Sequence, residues 1–203
     1  GVNYLAHLYL SGDSEDLVVG NFIGDSVRGD CFKALSTGVQ NGVRLHRCID
    51  SFTDSHPIVR RSKQRMWHQF GRYSSVVADV FFDHFLARDW HRYHPMPLAG
   101  YSSHICRILN TRLNEFPERS RRFLDYMVDN QVLASYATIS GIGKVLAQMA
   151  ARARFESRME CGGRELGRCY SGYRKDFKEF FPDLRRHAEA SIATLDETSK
   201  PPA

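Results

Sequence analysis

The sequence predicts an all-α fold, a single-domain bundle of several helices. Strand signals are scarce, because runs of β-branched residues that alternate with polar ones are missing. Apolar residues instead recur in most segments at the three- and four-residue spacing of amphipathic helices. The 203 residues, 42% of them hydrophobic and 25% charged, are sufficient for one globular domain with a sizeable core. We assign this domain to residues 1–196 and a disordered tail to residues 197–203.

Four helices are predicted in the first half of the chain. The first spans 13–29 and begins with Asp13, a favourable N-cap residue. The second, 42–54, has apolar side chains on one face. The third is Pro57–Phe70, because proline is well tolerated in the first turn of a helix. The fourth, 75–91, is rich in Val, Phe and Leu, and the two prolines in segment 94–97 end it.

The second half of the chain is also predicted to be helical. Segments 138–143 and 161–163 are interpreted as turns between helices. Pro182 should kink or restart the last helix. The predicted helices are 101–114, 118–131, 144–159 and 163–195.

Charge and composition exclude several classes of protein. The net charge of +5 favours an acidic partner without identifying it. No apolar run approaches the roughly 18 residues of a membrane-spanning helix, and no secretory signal pattern is present, so we expect a cytoplasmic protein. The sequence also lacks a phosphate-binding glycine loop, a GxGxxG motif, an HExxH motif and a GxSxG elbow.

Polar residues recur once per helical turn in two segments. They are Asn21, Asp25 and Arg28 in the first segment, and His46, Asp50 and Asp54 in the second. A histidine and a carboxylate one turn apart lie on the same helix face and can reach one metal ion. A solvent-exposed polar face accounts for either segment taken alone.

A third segment favours a metal site more strongly. Asp79 and Asp83 lie one turn apart in the most hydrophobic predicted helix, and His84 follows directly. Charged groups in such a helix are costly unless they are paired or bind a metal. A structural ion pair is the alternative. Acids and histidines from three helices predict a mixed nitrogen and oxygen site for Mn²⁺, Mg²⁺ or Fe²⁺ acting on a phosphate.

Four motifs in this order resemble those of the acyl-carrier-protein phosphodiesterases, also called acyl-carrier-protein hydrolyases. The similarity spans nearly the whole chain, although the C-terminal half contributes only length and helical character. The motifs lie at 3–10 (NYLAHLYL), 20–29 (GNFIGDSVRG), 45–54 (LHRCIDSFTD) and 82–88 (FDHFLAR).

The resemblance implies an all-helical fold related, in rearranged form, to the HD phosphohydrolases. It also implies a Mn²⁺-favouring hydrolase, with Mg²⁺ or Fe²⁺ as alternatives, that removes 4′-phosphopantetheine from holo-acyl carrier protein. Asp50 would orient a histidine or handle a proton, and His7 is a further candidate. The order Asp-His at 83–84 departs from the His-Asp doublet of the HD enzymes. The ligands implied by position are Asp25, His46, Asp83 and His84.

Arginines near these motifs have two expected roles. Arg28 and Arg47 would neutralise charge on the phosphoryl oxygens. An acyl carrier protein is acidic, so the enzyme needs a positive docking face. Arg61 and Arg65 share one face of the helix that follows Pro57 and are the candidates for it.

Two other functions remain open from the sequence. One is an HD-like phosphohydrolase that acts on a nucleotide or another small phosphate ester. The other is a non-catalytic helical module that binds nucleic acid or an acidic protein through its arginines. The acids and histidines in apolar helices argue against the module, so we expect no nucleic-acid partner.

Overall fold

Helices make up most of the described chain. The computed structural model describes residues 4–198, and within that range there is no β-strand. The predicted all-α class is confirmed. Short 3₁₀ turns join several of the helices. In chain order the helices are α1 (Tyr4–Leu10), α2 (Glu15–Ile23), α3 (Asp30–Lys33), α4 (Thr37–Ser55), α5 (Pro57–Phe70), α6 (Ser74–Arg88), α7 (Leu98–Thr111), α8 (Glu118–Asp129), α9 (Val132–Ser135), α10 (Ile139–Arg152), α11 (Gly162–Arg168) and α12 (Tyr170–Thr198).

The core lies around α6 and α12, whose aromatic side chains pack against each other. The ring centroids of Phe82 and Phe180 are 5.3 Å apart, and those of Phe85 and Phe177 are 5.8 Å apart. All four side chains are buried. Burying a phenylalanine contributes about 1.5–3 kcal/mol, so this contact is a large part of what fixes the bundle. Helix α6 is buried on most of its surface, which explains why its sequence is apolar on all sides.

Helices α2 and α4 cross at two glycines. A methyl group on Gly20 would lie 2.1 Å from the carbonyl oxygen of Val39, and one on Gly42 would lie 2.7 Å from the Cα atom of Gly20. Neither position has room for a side chain, so only glycine allows the two backbones to approach this closely. The close crossing brings Asn21 of α2 against His46 of α4.

The first predicted helix is shorter than expected. Helix α2 begins after Ser14, not Asp13, and the Ser14 hydroxyl accepts a hydrogen bond of 3.4 Å from the Leu17 amide. It ends at Ile23, where a 3₁₀ turn over Gly24–Ser26 follows. The polar residues at 21, 25 and 28 therefore do not share one continuous helix face. Helix α1 was not predicted at all.

The second half also differs from the prediction at particular points. The turn predicted at 138–143 is wrong, because Thr138 caps α10 by accepting a 3.0 Å hydrogen bond from the Gly141 amide. Helix α12 continues through Pro182 without restarting and reaches Thr198. The predicted tail thus overlaps α12 by two residues, and its remainder lies outside the described residues. The domain boundaries stay a prediction.

Candidate active site

Helix α1 is held at its N-terminal end by a carboxylate from α6. Asp83 is fully buried, and its two oxygens each accept a 2.9 Å hydrogen bond, from the backbone amides of Leu5 and Ala6. The first amides of a helix have no partner within the helix, so Asp83 acts as a cap supplied by another element. Burial raises the pKa of Asp83, the two amides oppose that rise, and the charge of Asp79 adds to it. The cap fixes the position of His7 in the same helix.

Asn21 orients two histidine rings. Its side-chain nitrogen donates to the carbonyl oxygen of His7 and to the hydroxyl of Ser11, each at 2.9 Å, which identifies its Oδ1 atom as an acceptor. The Nδ1 atom of His7, 2.6 Å from this Oδ1, must therefore donate. The Nδ1 atom of His46 donates to the backbone carbonyl of Asn21 at 2.9 Å. Both Nε2 atoms are thereby left to face other groups.

The two Nε2 atoms face the same carboxylate. Nε2 of His7 is 3.0 Å from Oδ1 of Asp50, and Nε2 of His46 is 3.2 Å from Oδ2 of Asp50. Nε2 of His46 is also 3.1 Å from Oδ1 of Asp25. The rings of the two histidines stack with centroids 4.2 Å apart. We call these four residues, His7, His46, Asp25 and Asp50, the histidine–aspartate centre.

The centre has the features of a cation site. When the ring of His7 donates through Nδ1, a neutral Nε2 is an acceptor, and it faces an acceptor oxygen of Asp50. Two acceptors at 3.0 Å need a proton or a cation between them. Ligand atoms of His7, His46 and Asp50 all lie within 4.8 Å of one another. Each ring also donates its other nitrogen to an oxygen, as metal-binding histidines usually do.

The electrostatics place one proton in this centre. Burial lowers the pKa of His7 and keeps its ring neutral at pH 7. Burial acts the same way on His46, but hydrogen bonds and charge from Asp25 and Asp50 outweigh it and raise the pKa to about 9. Burial would raise the pKa of Asp50, yet its two histidine partners hold it well below the usual range. A proton on His46 lies between its Nε2 atom and the carboxylates of Asp25 and Asp50, and it leaves Nε2 of His7 and Oδ1 of Asp50 as two acceptors that face each other.

The 3₁₀ turn after α2 brings Asp25 to this centre. Gly24 packs directly on the ring of His46, since an added methyl group would lie 2.4 Å from the ring carbon Cγ. Asp25 follows, with 39% of its side chain exposed. It is the most exposed member of the histidine–aspartate centre and links the buried histidines to the surface.

Two of the four predicted metal ligands lie apart from this centre. Asp83 uses both oxygens to cap α1. His84 is buried on another side of α6, where Nδ1 lies 2.8 Å from the Tyr136 carbonyl oxygen and Nε2 lies 2.9 Å from the Tyr170 hydroxyl. The prediction of one site that combines them with Asp25 and His46 is therefore corrected. Adjacent residues on a helix point in different directions, so Asp83 and His84 cannot both face the same site.

The other two acidic candidates also lie outside the cluster of ligand atoms. Asp79 is half-buried on α6, one turn before Asp83, and acts on the pKa of that residue. Asp54 is exposed at the end of α4, 3.8 Å from Nζ of Lys63. The metal cluster found among residues 4–198 contains neither of them.

The arginines expected to dock a partner are bound within the fold. Asp176 of α12 is buried, and its oxygens accept hydrogen bonds from Arg61, Ser62 and Arg65 of α5 at 2.5–2.8 Å. Arg61 also donates to Glu179 at 2.7 Å. These contacts join α5 to α12 in an ion-pair network, and the docking role predicted for Arg61 and Arg65 stays a prediction.

Arg28 and Arg47 lie on the surface near the centre. Arg28 is exposed in the segment after the 3₁₀ turn. Arg47 donates to the carbonyl oxygen of Val27 at 3.2 Å and lies over the ring of Phe32 at 5.2 Å. Their expected contact with a phosphoryl group stays a prediction.

A cavity of about 630 Å³, which the sequence analysis did not predict, opens beside Asp25. Its wall is formed by Phe22, by residues of α8, and by single residues of α1 and α10. Three arginines, Arg119, Arg122 and Arg152, lie along it together with Glu118, which accepts a 2.9 Å hydrogen bond from Arg122. A cationic cavity next to clustered histidines and carboxylates suits a phosphate-containing substrate.

Comparison with known proteins identifies the family. Residues 2–184 match the profile of a family described as acyl carrier protein phosphodiesterase. The chain belongs to this family. Curated relatives with the same name come from Serratia proteamaculans (strain 568), 31% identical over 93% of this chain and 98% of the relative, and from Escherichia coli O6:H1 (strain CFT073), 30% identical over 92% and 97%. No solved structure matches the chain significantly.

Membership of the acyl carrier protein phosphodiesterase family confirms the predicted resemblance and the predicted class of enzyme, a phosphodiesterase. The relation to the HD phosphohydrolases stays a prediction. Among the helices of residues 4–198, none combines the length and the apolar character that crossing a membrane requires. The cytoplasmic location also stays a prediction.

Proposed function

We propose that this chain is a metal-dependent phosphodiesterase that releases 4′-phosphopantetheine from the serine of holo-acyl carrier protein. The family supports the acyl carrier protein as substrate, since the curated relatives carry that protein in their names. One observation carries the metal dependence. The Nε2 atoms of His7 and His46 converge with the carboxylate of Asp50, while both Nδ1 atoms are already committed as donors.

The donor set fits a divalent cation of intermediate character. His7, His46 and Asp50 would hold it, and Oδ1 of Asp25 lies 3.1 Å from the Nε2 atom of His46. Two imidazoles with carboxylates favour Mn²⁺ or Fe²⁺ over Mg²⁺, which prefers oxygen alone. We propose Mn²⁺. Bound there, the cation would supply Lewis-acid polarisation of the phosphoryl group and would make water acidic enough to attack at neutral pH.

The side chains around the centre have distinct tasks. Asn21 keeps the two rings in the tautomer that presents both Nε2 atoms to the same place. Asp25 lies between the buried histidines and the cavity, and it would accept the proton that the attacking water loses. Arg119 and Arg152 line the cavity and would neutralise charge on the phosphoryl oxygens.

The reaction needs only water as a co-reactant. The water oxygen forms a new bond to phosphorus, and the bond between phosphorus and the serine oxygen breaks. The serine oxygen leaves with a proton, so the products are apo-acyl carrier protein and 4′-phosphopantetheine. No electron transfer is involved.

Intact-protein mass spectrometry of holo-acyl carrier protein tests this proposal. After incubation with the protein and Mn²⁺, the carrier should lose the mass of the phosphopantetheine group. Neither the His46→Ala variant nor wild-type protein in EDTA should produce this change. An unchanged carrier after incubation with the wild-type protein and Mn²⁺ would contradict the proposal. If the protein then releases phosphate from free nucleotides added to it, the alternative function of a small-molecule phosphohydrolase is favoured.

A further inference from the structure

A second cavity adjoins the one beside Asp25. It has a volume of about 290 Å³ and lies between α8, α9 and α10. Both cavities are lined by Tyr4, Arg119, Phe123, Tyr126 and Arg152, so they meet along this wall. Together they form a path that we call the long groove. It runs from Asp25 to the wall formed by α9 and α10.

The two ends of the long groove differ in chemistry. On the side of Asp25, Arg122 lines the first cavity alone, and Arg119 and Arg152 line both cavities. Neither Arg119 nor Arg152 forms an ion pair with any of residues 4–198. Arg152 lies over the ring of Tyr126 at 5.0 Å, which holds its charge at the junction. The far end is predominantly apolar. Its apolar lining includes Val76, Val132, Val145, Met149, Ala153 and Met159.

A buried hydroxyl without a partner lies in the far end. Tyr136 is fully buried and lines the second cavity, yet its hydroxyl has no hydrogen-bond partner among the described residues. Burial raises the pKa of this hydroxyl, so it is a neutral donor. An unpaired buried hydroxyl costs about 1–3 kcal/mol, and a ligand carbonyl in this cavity would remove that cost.

We propose that the long groove binds the acyl-phosphopantetheine arm of a loaded carrier protein. This assignment rests on the proposed function. The arm's phosphate lies at the cationic end beside Asp25, and the acyl chain occupies the apolar end. The Tyr136 hydroxyl donates to a carbonyl oxygen of the arm, either an amide or the thioester. The phosphate of the arm matches the arginines on the side of Asp25, and the carbonyl and hydrocarbon groups match the hydroxyl and the apolar wall of the second cavity.

Removal of the hydroxyl gives the first test. Binding of S-octanoyl-4′-phosphopantetheine alone is measured by titration calorimetry, so that no turnover is needed. Tyr136→Phe should weaken binding roughly 5–10-fold, the effect of one lost hydrogen bond, without lowering the melting temperature. Tyr101→Phe is the matched control, because its hydroxyl is also buried without a partner but lines a different cavity.

Blocking the apolar end gives the second test. In the wild type, each added methylene of the acyl chain should tighten binding up to about fourfold until the cavity is full. Met149→Trp fills that end from a half-buried position, so it should remove the dependence on chain length. Met96→Trp, at an exposed position outside the groove, should retain it.

The outcomes separate the groove from the reaction. Binding that is independent of chain length in the wild type, or equal in Tyr136→Phe and Tyr101→Phe, would overturn the groove even if holo-carrier is hydrolysed. Chain-dependent binding that Met149→Trp abolishes would support the groove even if hydrolysis fails. With that second result, the protein would bind acyl-phosphopantetheine without acting as the proposed hydrolase.

Discussion

At the scale of single residues, the lack of a side chain at Gly24 allows the position of the His46 ring. Gly24→Ala places a methyl group 2.4 Å from Cγ of His46, so the ring must move. A displacement of about 1 Å at a reacting centre can cost on the order of 100-fold in rate. We expect turnover of holo-carrier to fall by about that factor, measured together with Mn²⁺ affinity.

Gly143→Ala is the control for this substitution. Its added methyl group meets nothing within 4 Å, and alanine is the better helix former by roughly 1 kcal/mol. The control should keep full turnover. Equal activity in both variants would mean that the orientation of His46 is not critical.

Part of the histidine–aspartate centre could be predicted from the sequence, but the helix packing that assembles it could not. His46 and Asp50 are one turn apart in α4, so their pairing follows from helical spacing alone. His7 and Asn21 join them only through the packing of α1 and α2 against α4, which spacing within one helix cannot reveal. Asn21 was not predicted to orient a histidine, because it is neither an acid nor a histidine. Gly20 and Gly24 beside it were the available signal of close contact.

At the scale of elements, α1 depends on Asp83. A seven-residue helix is marginal by itself, and its cap lies more than 70 positions later in the chain. That dependence is why the helix could not be predicted from local sequence. The same carboxylate was predicted to be a metal ligand, because a buried acid in an apolar helix needs a partner. In the structure that partner is the N-terminal end of α1.

The cap and the ligand roles of Asp83 predict different results. Asp83→Ala leaves two buried amides without an acceptor, at about 1–3 kcal/mol each. We therefore expect a comparable loss of unfolding free energy in urea, present equally with Mn²⁺ and with EDTA. His46→Ala should instead lose most of the stabilisation by Mn²⁺. A loss of stability in Asp83→Ala that disappears in EDTA would restore Asp83 as a ligand.

The contact between α5 and α12 should respond to pH through Asp176. Burial opposes its charged form, but Arg65, Ser62 and Arg61 outweigh burial and lower the pKa. The carboxylate therefore stabilises the fold above the unfolded pKa, about 3.9, and this contribution is lost as the pH falls through the folded pKa. Asp176→Asn should cost about 1–3 kcal/mol at pH 7, and the deficit should shrink in acid.

Urea unfolding at pH 7, 5 and 3 measures this deficit. Glu179→Gln is the control, because Glu179 pairs with the same Arg61 from a position with 39% of its side chain exposed. Exposed pairs contribute only about 0–1 kcal/mol, so the control should change little at any of these pH values. A deficit of Asp176→Asn that is constant with pH would assign its role to shape and not to charge.

At the scale of the whole molecule, the histidine–aspartate centre and Asn21 together join three helices near the start of the chain. His7 comes from α1, Asn21 from α2, and His46 and Asp50 from α4. These helices touch through one polar cluster as well as through apolar packing. A cation at the centre binds the folded chain and has no comparable site in the unfolded one. Its removal should therefore lower the stability of the entire bundle.

The size of this effect follows from binding equilibrium. At a Mn²⁺ concentration 100 times the dissociation constant, the stabilisation is about 2.7 kcal/mol. For a domain of this length that corresponds to roughly 5–10 °C in melting temperature. We expect EDTA to lower the melting temperature of the wild type by this amount. His46→Ala should melt at the same temperature with and without EDTA, which excludes a general effect of the chelator. If the wild type also melts identically under both conditions, the centre does not hold a metal at that concentration, and the proton on His46 is then its only positive charge.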